Sequence, residues 1–175
     1  MRSCFGFVFA GLAVLAPPAG GQPAAPRLTP DDLRVLAGTW NGTLEYLDYS
    51  DNRTRRTIGA SLDWKATGDA IEYRFSYVEP DGKAVAGDLV KLTLHDDGAE
   101  VRLNDERWRV AGKTTDAKAG KHEFVLTRAG KDNDQPAELR RVLTATRETL
   151  TIRTEAKAAK AVAAVVRNEY VLNKK

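Results

Sequence analysis

From Trp40 onward the sequence alternates apolar and polar side chains in short runs separated by turn residues, and this period of two commits the chain to half-buried β-strands. In the first run Trp40, Gly42, Leu44 and Tyr46 share one face, with Thr39, Asn41, Thr43 and Glu45 on the other. SDNR at residues 50–53 then makes a turn. Ile58, Ala60, Leu62 and Trp64 form a second inward set, closed by ATGD at residues 66–69. Ile71, Tyr73, Phe75 and Tyr77 form a third, up to Pro80-Asp81-Gly82. Val90, Leu92 and Leu94 lead to Asp96-Asp97-Gly98, and Val101 with Leu103, Trp108 with Val110, and Phe124 with Leu126 follow in turn. The polar KDNDQP at residues 131–136 separates these from Leu139, Arg141, Leu143 and Ala145. Leu150 and Ile152 come next, and a last strand runs from Val165 to Asn173. The spacing predicts an all-β fold, an antiparallel meander forming a sandwich or barrel of about 8–10 strands, with no βαβ unit.

A compact helix signal precedes the first strand. In TPDDLRVLAG, Thr29 can cap, Pro30 suits the first helical position, Asp31 and Asp32 suit the positive end of the dipole, and Gly38 can stop the turn. Leu33 and Leu36 then share one face, so the turn is expected to plug one end of the sheet. EAKAAKAVAAVV at residues 155–166 reads two ways: a helix of good helix formers leading into the last strand, or that strand extended backwards.

The first residues carry one charge at Arg2, an apolar run from Cys4 to Ala16, and a Pro, Gly and Ala-rich break. This is the pattern of a secretory signal peptide over residues 1–21, since the run is shorter than the roughly 20 apolar residues of a permanent span. A spacer at residues 22–28 and a single domain at residues 29–175 would follow, in a periplasmic or secreted protein with no stable membrane anchor. Cys4 is the chain's one cysteine and would leave with the peptide, so stability must come from a core instead of disulfides. A domain of this length suffices, burying roughly 68–70% of its unfolded surface. The chain has 27 basic and 24 acidic residues; without Arg2 the balance is 26 against 24, or +2, with the signs interspersed. Nothing here calls for a nucleic-acid partner.

The helical turn followed by Gly38-Thr39-Trp40 at the head of the first strand resembles the G-x-W signature of the lipocalins and the wider calycin group. VVRNEYVL at residues 165–172 is similar to their closing strand. The resemblance implies a barrel whose signature tryptophan sits at the closed end, with an arginine of the last strand packed over it. Gly38, Trp40 and Arg167 are the matching residues, in a structural role. The later T-D-Y-x-x-Y motif of the lipocalins is absent, and ten strands would suit a fatty-acid-binding-protein-like barrel equally well. Alternation from Tyr170 and Leu172 points Arg167 outward unless a bulge intervenes.

A barrel of this size can be filled by side chains or hold one small ligand. Tyr46, Trp64, Tyr73, Phe75, Tyr77 and Trp108 are the candidate ligand-binding residues, with Phe124 and Tyr170 on the same inward face. Aromatic walls with a few hydroxyl tips suit an apolar molecule with one polar end, and a buried phenol needs a partner that a ligand could supply. Catalytic constellations are poor. With only His95 and His122, both expected on the surface, and no nucleophile motif, neither a Ser-His-Asp nor a zinc site is indicated, and no cofactor is called for. Asp132-Asn133-Asp134 resembles the start of a calcium loop but lacks its glycine and closing glutamate, so a solvated hairpin is expected. The chain is therefore expected not to be an enzyme. Two functions stand: a carrier or sensor of a small apolar molecule held inside the barrel, or a scaffold that meets a protein partner through the arm before Leu33 or the loops near Asp51 and Asp132.

Overall fold

The computed structural model describes residues 24–67, 70–79 and 81–175. The expected signal peptide lies outside the described residues. Ten antiparallel strands follow one short helix: α1 (Pro30–Arg34), β1 (Gly38–Leu47), β2 (Arg55–Thr67), β3 (Ala70–Val78), β4 (Ala84–His95), β5 (Glu100–Leu103), β6 (Glu106–Asp116), β7 (Lys121–Asp132), β8 (Gln135–Ala145), β9 (Thr149–Ala158) and β10 (Val165–Lys174). Each strand pairs with the next in sequence, and β1 pairs with β10, so the sheet closes into a barrel. Closure leaves no free edge. The seam register sets Trp40 opposite Lys174 and Gly42 opposite Leu172.

The apolar half of the alternation fills the interior. Trp40, Leu62, Val101, Trp108, Phe124, Leu150 and Leu172 are all but wholly buried. A leucine so placed contributes roughly 1.5–3 kcal/mol. One end of the barrel is stoppered by α1, whose capping box forms as the residues require: the Thr29 hydroxyl accepts from the Asp32 amide, and the Asp32 carboxylate accepts from the Thr29 amide at 2.7 Å. Leu28, Leu33 and Leu36 enter the core, and Trp40 Nε1 donates to the Leu36 carbonyl at 2.9 Å. Lys113 of β6 holds Asp32 at 2.7 Å.

The expected spacer ends earlier than residue 28. Leu28 is buried and its amide donates to the Gly98 carbonyl at 2.9 Å, while Arg27 donates to the Asp96 carbonyl at 2.9 Å. Gly98 is needed there: its φ is +86°, and a Cβ would lie 1.9 Å from the Leu28 carbonyl oxygen.

The Ala-rich segment forms neither of its two expected structures. Residues 155–158 continue β9, and residues 159–164 are an irregular connection before β10. The physical cause is Ala156, which pairs with Leu139 and Val165 and is buried. The ladder therefore captures the first third of the segment. The remainder buries little, and Val162 is fully exposed.

Candidate functional site

Residues of nine strands, β2 to β10, enclose a cavity of about 500 Å³, within the ordinary range for a small-molecule site. β2 supplies Trp64, β3 supplies Tyr73 and Phe75, β8 supplies Arg141, β9 supplies Thr154, and β10 supplies Asn168 and Tyr170. The wall also includes the apolar Leu92 and Leu103 and the exposed Asn104 and Asp105 of the β5–β6 turn.

The aromatic side chains form a continuous ladder. Trp64 stacks on Tyr73 with centroids 4.6 Å apart, Tyr73 meets Phe75 edge-on at 5.8 Å, and Phe75 stacks on Tyr170 at 4.3 Å. These geometries are the favoured ones for aromatic pairs and hold the wall rigid. The Tyr77 and Tyr170 hydroxyls share a hydrogen bond of 3.0 Å.

Of the six residues singled out from sequence, Trp64, Tyr73 and Phe75 line the cavity. The other three do not. Tyr46 packs against the core, Tyr77 is turned to the Tyr170 hydroxyl, and Trp108 is buried beneath two guanidiniums. Arg128 and Arg141 both lie over the Trp108 ring, each with Cζ 4.9 Å from its centroid.

Arg141 is the residue that sequence reading did not single out. Its strand parity with Leu139 and Leu143 was the available signal, because β8 pairs Leu143 with Phe124 and Arg141 with Leu126 on the inner face. Its Nε is buried without a hydrogen-bond partner, as are Trp64 Nε1, Trp108 Nε1 and Asn168 Oδ1. Arg128 is held by Glu106 at 2.6 Å. Among the described residues no carboxylate lies within salt-bridge distance of Arg141.

Burial pushes the Tyr73 phenol above its ordinary range, with the Arg141 guanidinium pulling the other way. Burial also pushes up Tyr170, and the bond to Tyr77 adds to the effect. Both hydroxyls therefore stay protonated and can donate to a ligand.

No family model matches the chain, and no curated protein matches it. Among solved structures, that of Rv2717c from M. tuberculosis covers 83% of this chain and 96% of its own, with a TM-score of 0.59 and 12% identity. The likeness is one of fold. It carries no residue roles across.

Several expectations are corrected. Arg167 does not pack over Trp40; Lys174 does, with Nζ 5.0 Å from the ring centroid. The register explains this, since Trp40 pairs with Lys174 and Arg167 lies at the far end of β10. A bulge between Val166 and Asn168 does intervene, and it turns Arg167 away from solvent. There it donates to the Asp132 carboxylate, with Nε at 2.8 Å, and to Asn52 Oδ1 at 2.7 Å, and it lies over the Tyr49 ring. Asp132 is accordingly not a solvated hairpin residue: its side chain is 12% exposed. The turn itself is Asn133 and Asp134, both at positive φ, as a tight two-residue hairpin requires. His95 and His122 are half-buried instead of exposed; His95 Nε2 bonds the Thr93 hydroxyl at 3.0 Å, and neither histidine lines the cavity.

Proposed function

We propose that this chain is a lipocalin-like binding protein, periplasmic or secreted, that holds one small amphipathic molecule inside its barrel. The observation that carries the reading is the open interior: a closed sheet whose inward residues leave about 500 Å³ between an aromatic ladder and a few polar groups. A core evolved only for stability is packed to the density of an organic crystal, and each void costs contacts. Unpartnered polar atoms at Asn168 and Trp64 beside that space add to the cost unless a ligand meets them.

Native mass spectrometry of the protein purified from its own compartment tests the proposal. A stoichiometric small-molecule adduct is the expected result, and its extraction would name the compound. The second reading, a scaffold for a protein partner, draws on the fully exposed Val162 in the β9–β10 connection. An empty barrel that retains a second polypeptide, released by Val162→Ser, would favour that reading over the first.

A further inference from the structure

We infer that the ligand of the barrel is a planar nitrogen heterocycle whose edge carries a carbonyl beside an N–H; this rests on the reading of the cavity as a small-molecule site. Strand pairing sets Arg141 of β8 opposite Thr154 of β9, and Thr154 opposite Asn168 of β10. All of them line the cavity, so a polar row crosses neighbouring strands at a single level of the wall. The inward positions on either side of it are apolar or aromatic: Leu139 and Ala156 pair in one flanking row, and Leu143, Ile152 and Tyr170 in the other. Adjacent strands lie roughly 4.8 Å apart, which makes the polar row about 10 Å long.

A chain with a single polar head meets one member of such a row and must lay its tail along the others. A fused ring with polar atoms spaced along one edge meets the whole row. The row also fixes the sense of the hydrogen bonds. Arg141 only donates, and its Nε is buried without a partner; Asn168 has a buried Oδ1 that accepts no hydrogen bond among the described residues; the Thr154 hydroxyl can do either. A ring carbonyl satisfies the first and a ring N–H the second. A carboxylate has no donor and would leave Asn168 unmet. The guanidinium meanwhile keeps the face of Trp108 beneath it, with Cζ 4.9 Å from the ring centroid. Flatness is the remaining requirement. Trp64, Tyr73, Phe75 and Tyr170 line the same space as a ladder whose successive centroids are 4.6, 5.8 and 4.3 Å apart. A flat ring system buries its faces and edges against such rings in the arrangements that aromatic pairs favour.

The test titrates the full chain with lumichrome, a fluorescent tricycle with an imide edge, and with 1-aminoanthracene, a fluorescent tricycle that has no carbonyl. Lumichrome is expected to bind at least about tenfold more tightly, the worth of one or two hydrogen bonds. 3-Methyllumichrome, in which a methyl group replaces the imide N–H, should lose most of that advantage. Thr154→Val, which keeps the shape of the side chain, and Asn168→Leu should each narrow the gap between the two tricycles. Equal binding of lumichrome and 1-aminoanthracene by the native protein would overturn the heterocycle assignment and leave the cavity reading standing. A preference for lumichrome undiminished in both variants would overturn the role of the polar row. Binding of neither tricycle would overturn the cavity reading and the heterocycle with it.

Discussion

The hydroxyls of Tyr77 and Tyr170 meet at 3.0 Å across the barrel, joining β3 to β10 over the two strands that separate them in the sheet. The contact leaves each phenol with a partner in the absence of ligand. Tyr170→Phe should cost about 1 kcal/mol in chemical denaturation, the net worth of one neutral hydrogen bond, because the Phe75 stack survives the change.

The same burial sets an alkaline limit. Tyr73 and Tyr170 have raised folded-state pKa values, so their contribution to stability is present below the unfolded value near pH 10 and is lost as pH rises beyond it. Absorbance titration at alkaline pH should show Tyr73 and Tyr170 ionising only with unfolding.

Asp32 gives the opposite sign. Burial raises its pKa, but the Lys113 and Thr29 hydrogen bonds outweigh this and hold it below the ordinary carboxylate range. Its contribution is therefore present above about pH 4 and is lost as pH falls through the folded-state value. The protection of the Leu33 and Leu36 amides against exchange, relative to the intrinsic rate at each pH, should fall over that acid range in the native protein. In Asp32→Asn that protection should be low already at neutral pH.

The Arg167–Asp132 pair is largely screened from solvent, with side chains 11% and 12% exposed. Removing one partner of such a pair leaves an uncompensated charge, and Asp132→Leu alone should destabilise the protein by about 3–5 kcal/mol. The double variant Asp132→Leu/Arg167→Met should recover much of that loss. A double-mutant cycle by denaturant unfolding checks it; simple additivity would show the pair to be inert.

At the seam, Gly42 faces β10 so closely that a Cβ would lie 2.0 Å from the Val171 carbonyl oxygen. Gly42→Ala should therefore cost about 1–3 kcal/mol or more, by prying β1 from β10. Gly120→Ala, whose Cβ meets nothing within 4 Å but whose φ is +60°, should cost less, since strain there is local to a turn.

The strands were legible because one face of each is buried and a slip of one residue would turn every apolar side chain outward. The capped helix was legible from Thr29, Pro30 and Asp32 because its hydrogen bonds are local. Arg141 and Arg167 were not. Alternation puts Arg141 on the inner face, but only the closed structure shows that Glu106 takes Arg128 and that, among the described residues, no carboxylate reaches Arg141. A bulge beside Arg167 carries no sequence mark, and its partners Asp132 and Asn52 come from distant turns. Of the two readings of residues 155–166, the helix failed for a related reason: Ala156 finds ladder partners outside the segment, on β8, that outweigh local propensity.

Closure by β1 and β10 also has a kinetic side. The amide of Lys175 donates to the carbonyl of Thr39, so the two ends of the domain must find each other before the barrel has an inside. Such a topology has high contact order and is slow to fold. While β10 is still unmade during synthesis, β1 and β9 present bare hydrogen-bonding edges to any neighbouring chain. The final strand thus acts as a clasp, and the nascent chain is exposed to self-association until that clasp is fastened.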